Sequence, residues 1–65
     1  MNVKIDYVHF RNGVPRISKL EFVDVYAFKY GTGECSITFN DDKGIRRVKN
    51  LKRHLVQYIS IEGTL

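Results

Sequence analysis

Ile17-Ser18-Lys19-Leu20-Glu21-Phe22-Val23-Asp24-Val25-Tyr26-Ala27-Phe28-Lys29-Tyr30 is the stretch that decides the fold of this chain. Leu20, Phe22, Tyr26, Phe28 and Tyr30 fall on one parity, and Val23, Val25 and Ala27 on the other. The segment reads as one long β-strand whose middle is apolar on both faces. Two arrangements account for that. Either the strand is covered on both sides, or a bulge near Val23-Asp24 switches its faces, as small barrels do to turn corners.

Upstream, Asn2 to Phe10 alternates Val3, Ile5 and Tyr7 with Lys4 and Asp6, the period of a half-buried strand. Asn12-Gly13 follows, the strongest short hairpin signal because both residues accept positive φ. Pro15 stands where a strand begins without needing the missing N–H. Downstream, Gly31-Thr32-Gly33 is a turn, and Glu34 to Asn40 places Cys35, Ile37 and Phe39 on one face. Asp41-Asp42-Lys43-Gly44 is a turn by composition, and Ile45 to Lys49 pairs back as a fourth strand.

The last segment supports two readings. Val48, Leu51, Leu55 and Ile59 lie at helical spacing, with Asn50 able to cap a helix. Leu55 to Ile61 also alternates, is β-branched and aromatic, and stops at Gly63. The preferred reading is a short helical turn at about 50–54, then a fifth strand from Leu55 to Glu62. The expected fold is therefore mainly β, a small five-stranded SH3-like barrel or meander sheet with one helical turn before the last strand. The alternative is α+β, with a four-stranded antiparallel meander and a C-terminal helix at about 50–58. Folds of this type host many unrelated functions, so architecture alone assigns none.

At 65 residues the chain is read as a single small domain, 1–65. Such a chain buries about 60% of the surface its unfolded form exposes, so most apolar residues serve the core. The single cysteine, Cys35, excludes an intramolecular disulfide framework and points to a reducing compartment. The opening residues alternate rather than forming the apolar core of a signal peptide, and Phe22 to Phe28 is too short to span a bilayer. A cytoplasmic location with no membrane association is expected.

No catalytic pattern emerges. One cysteine and two histidines, His9 and His54, stand far apart and supply no metal-ligand spacing. Cys35 shares parity with Ile37 and Phe39, which reads as a buried small hydrophobe rather than a nucleophile. Asp41-Asp42 precedes Lys-Gly in a turn, where aspartates satisfy local N–H groups. Gly31-Thr32-Gly33 leads from strand to strand rather than into a helix, so it is no phosphate cradle. We expect no enzyme, no cofactor, no metal and no small-molecule substrate.

The net charge is +4, and its distribution carries the functional reading. Lys43, Arg46, Arg47, Lys49, Lys52 and Arg53 place six cations in a stretch without an acid, while the rest of the chain holds five cations and seven acids. Lysine and arginine contact phosphates without reading sequence. These six residues are the expected nucleic-acid contacts. Tyr26, Phe28, Tyr30 and Tyr58 are the candidate stacking or interface aromatics. The competing expectation is a protein-interaction or homo-oligomeric assembly module with no nucleic-acid role, suggested by the two-sided apolar strand and eight aromatics.

Overall fold

A computed structural model describes residues 1–63. Six strands follow in order: β1 (Asn2–Arg11), β2 (Val14–Phe22), β3 (Val25–Tyr30), β4 (Glu34–Asn40), β5 (Arg46–Lys52) and β6 (Val56–Glu62). A single 3-10 turn, Arg53–Leu55, stands between β5 and β6. The strands form two antiparallel sheets of three, ordered β2-β1-β6 and β3-β4-β5. The mainly β expectation holds, but the sheets are separate and no closed barrel forms.

The long stretch 17–30 is two strands, which raises the strand count from the expected five to six. The chain breaks at Val23-Asp24, where Asp24 adopts a φ of +52°, and crosses from one sheet to the other. A second irregularity follows between Val25 and Ala27. Leu20 and Phe22 face inward, Val25 is the inward residue after the corner, and Phe28 and Tyr30 share the side of Ile37 and Cys35 after the bulge. The expectation that Tyr26 shares a face with Phe28 and Tyr30 is thereby corrected. An extra residue in a strand reverses the parity beyond it.

The second corner keeps the expected helical turn before the last strand but moves it to Arg53–Leu55, and it overturns the alternative of a C-terminal helix. Asn50, Leu51 and Lys52 belong to β5, and only Arg53–Leu55 turn, so neither a helix over 50–58 nor a turn from residue 50 is present. Leu51 pairs with Cys35 and is buried, which draws β5 three residues past the expected Lys49. The Lys52 N–H donates to the Tyr7 hydroxyl at 3.2 Å, and the Arg53 N–H donates to the Gly33 carbonyl at 3.1 Å. These bonds satisfy backbone donors where the ladder ends. At the other corner, the Val25 N–H donates to the Met1 carbonyl at 2.9 Å.

Val3, Ile5, Val25, Cys35, Ile37 and Leu51 form the buried core between the sheets. Phe22 and Phe39 meet across the sheets with centroids 5.2 Å apart and rings tilted by 57°. Burial of apolar area at about 25 cal/mol per Å² drives this packing. Asn12 and Gly13, with φ of +53° and +78°, close the β1–β2 hairpin between the Arg11–Val14 pair. Their positive φ values give the turn the right-handed twist of its strands.

Candidate nucleic-acid interface

β5 is an edge strand, and its alternation sorts the predicted cations onto two sides. Arg46, Val48, Asn50 and Lys52 lie opposite Asn40, Thr38, Ser36 and Glu34, facing away from the core. Arg47 and Lys49 lie opposite Phe39 and Ile37 on the core side, yet both remain exposed because they overhang the sheet edge. Lys43 lies in the β4–β5 turn and Arg53 in the 3-10 turn. The six cations thus follow one edge of the second sheet without sharing one face.

Their surroundings differ. Arg47 Nε sits 3.0 Å from Asp41 Oδ2 and is the one predicted cation in an ion pair among the described residues. Asp41 Oδ1 also accepts the N–H groups of Ile45 and Lys43, each at 2.9 Å. The Ile45 N–H, the Arg47 guanidinium and the Lys43 N–H hold the Asp41 carboxyl below its ordinary pKa, against a smaller opposing effect of desolvation. The expected turn role of the Asp41-Asp42 pair is thus seen at Asp41.

Two arginines lie over tyrosines. Arg46 Cζ is 4.1 Å from the Tyr26 ring centroid, and Arg53 Cζ is 4.5 Å from that of Tyr30. Arg53 also donates to the Gly31 carbonyl at 3.2 Å. Exposed cation–π contacts contribute about 0.5–1 kcal/mol, which biases the guanidinium towards the ring without hiding its N–H groups. Tyr26 is 58% exposed on the outward side, and Tyr30, stacked on Phe28 at 6.4 Å, is exposed at the strand end. Phe28 is half-buried beside the core. Tyr58 is exposed on β6 opposite Asp6, in the other sheet.

The outward side of the second sheet consequently carries Lys29, Arg46 and Lys52 among Ser36, Thr38, Asn40, Asn50, Tyr26 and Val48, with Glu34 as its acid. The outward side of the first sheet is different. Lys4 lies 3.6 Å from Glu21 and 3.8 Å from Glu62, and Lys19 lies 3.6 Å from Asp6. Those cations are compensated within the sheet.

Cys35 is fully buried. Burial pushes its thiol pKa up, partly opposed by the positive charge of Arg53. A protonated, inaccessible thiol is a packing group. Among the described residues no three His, Cys, Asp or Glu side chains converge to hold a metal ion, and no helix is long and apolar enough to cross a membrane.

The β1–β2 hairpin tip went unread in the sequence. β6 pairs with β1 only as far as Tyr7, so His9 to Ile17 project as an exposed two-stranded ribbon. Phe10, at 63% exposure, and Ile17 lie with Pro15 and Val8 on one side of it, and His9, Arg11 and Arg16 on the other. The hairpin itself is legible from Asn12-Gly13. Its projection depends on the final strand, which begins at Val56, pairing with β1 from Tyr7 back to Asn2, a register the sequence does not mark.

No family model, curated protein or solved structure matches the chain.

Proposed function

We propose that this chain is a small non-enzymatic nucleic-acid-binding module that grips phosphates along β5 and across the outward side of its sheet. One observation carries the reading. Lys43, Arg46, Lys49, Lys52 and Arg53 have no ion-pair partner among the described residues and follow one strand edge, whereas in the other sheet Lys4 and Lys19 are paired and the unpaired Arg11 and Arg16 lie at the hairpin tip. Uncompensated cations are the ones that exchange condensed counterions for phosphates. An edge strand suits that role, because long side chains from its two sides reach a backbone lying along the edge. Arg46 over Tyr26 adds a guanidinium plane on which an unpaired base can stack.

The finer architecture belongs to the same proposal. A strand bent at Val23-Asp24 to serve two sheets, and a 3-10 turn before the last strand, support an SH3-like arrangement that is open rather than closed. A cytoplasmic site of action is supported by the absence of a disulfide framework, Cys35 being the one cysteine.

Fluorescence anisotropy with labelled single- and double-stranded DNA and RNA, between about 50 and 200 mM salt, tests the reading. Binding that weakens steeply across this range is the expected result, and the preferred strand type identifies the ligand. Absence of binding at the low-salt end, or affinity indifferent to salt, overturns it.

A further inference from the structure

The free edge of β2 lies in the other sheet. Among the described residues no strand pairs with β2 on the side away from β1. In a hairpin closed by a two-residue loop, the Arg11–Val14 pair exchanges both backbone hydrogen bonds, and such pairs alternate along the ladder. The backbone N–H and C=O groups of Ile17, Lys19 and Glu21 therefore point outward. Pro15 occupies the same set, where its missing N–H costs no ladder bond.

The sequence along this edge is complementary to itself when reversed about Leu20. Antiparallel pairing of two copies of β2 sets Lys19 opposite Glu21 twice, and brings Ile17 against Val23, the first residue past the strand. Ile17 and Val23 are 62% and 54% exposed, so each is an uncovered apolar group that would gain a partner. The register also fits the backbone, since Lys19 and Glu21 are both outward-pointing and form a hydrogen-bonded pair. Neighbouring registers fail on charge. A shift of one residue per chain towards the tip sets Lys19 against Lys19, and the opposite shift sets Glu21 against Glu21.

The charge rows within the sheet continue across the junction. Glu62, Lys4 and Glu21 form one row by contact, and Asp6 and Lys19 another. In the paired arrangement, Glu21 meets Lys19 and then Asp6 of the second copy, so the signs alternate across both chains. Beside the Val23-Asp24 end lies a groove of about 330 Å³ bounded by Glu21, Asp24, Phe39 and Asp42.

We infer that two copies of this chain associate through β2, antiparallel about a two-fold axis at Leu20, into one six-stranded sheet. Such an interface is isologous, as closed dimers require. It is independent of phosphate binding, which uses the other sheet.

Analytical ultracentrifugation across a concentration series tests the inference with Lys19→Glu and Glu21→Lys. Each single variant places like charges opposite one another and is expected to self-associate about tenfold more weakly or worse. An equimolar mixture of the two restores complementarity and is expected to form a heterodimer. Circular dichroism verifies that each variant is folded. Ile17→Lys, a change at an exposed position, serves as a second disruptive variant should either charge reversal unfold the chain. In the wild type, exchange of the Ile17, Lys19 and Glu21 amides slows as concentration rises. A monomeric wild type at all concentrations, or a dimer indifferent to all three variants, overturns the inference.

Discussion

Asp41 binds Arg47 through one carboxylate oxygen and the backbone of its own turn through the other. This links the β4–β5 turn to the cationic edge strand. The carboxyl is held below its ordinary pKa in the folded chain, chiefly by the Ile45 N–H and then by Arg47. A depressed carboxyl pKa contributes stability that is present above the unfolded value, near about 3.9, and is lost as pH falls through the lower folded value. Asp41→Asn is expected to lower the melting temperature at neutral pH. The gap from wild type is expected to close as the solution is acidified below about pH 4. Melting curves at several pH values check this, and a gap that persists undiminished in acid rejects the assignment.

The same pair sets an order among the cations. Arg47 is already compensated by Asp41, whereas Arg46 and Lys52 lie on the outward side without an ion-pair partner. Replacing Arg46 and Lys52 together with Ala is expected to weaken nucleic-acid binding and reduce the slope of log affinity against log salt by about 1–2. Arg47→Ala is expected to do less. Salt titrations of the variants against one oligonucleotide decide it, and a larger loss from Arg47→Ala rejects the ranking.

Tyr7 places a hydroxyl at the corner where β5 gives way to the 3-10 turn, accepting the Lys52 N–H at 3.2 Å. Tyr7→Phe keeps the ring against the core and removes only that acceptor. A loss of about 0.5–1.5 kcal/mol is expected, read from denaturant unfolding. An unchanged midpoint means the Lys52 donor is equally well served by water.

Cys35 sits in the core with Ile37 and Leu51. Cys35→Ser sets a hydroxyl in that place and is expected to cost about 1–3 kcal/mol. The native thiol is expected to resist iodoacetamide and to react only as denaturant unfolds the chain. Labelling at the rate of a free thiol in the native state contradicts its burial.

Much of the fold is legible in the residues. Asn12-Gly13 announces the first hairpin, because two consecutive positive φ values demand residues that tolerate them. The alternation of Cys35, Ile37 and Phe39 marks the inward side of β4, the central strand of its sheet. The apolar parity change in 17–30 offers Val23-Asp24 as one of two readings, since a strand apolar on both sides must be covered twice or must turn, and the chain turns there into a second strand. The bulge between Val25 and Ala27 is less visible. It turns Tyr26 away from Phe28 and Tyr30, and periodicity carries no mark of which residue is the extra one.

The candidate site divides in the same way. Segregation of six cations into one acid-free stretch is a property of the sequence by itself. So are the small mainly β domain, its turns and its buried thiol, because all follow from local conformational preference and alternation. Which cations remain uncompensated, which tyrosines carry an arginine, and which strand edges stay open were decided only by tertiary structure. Those properties depend on distances between residues far apart in the chain. Asp41 reaches Arg47, Arg46 reaches Tyr26, and β6 begins opposite Tyr7, only once two sheets have packed on a common core.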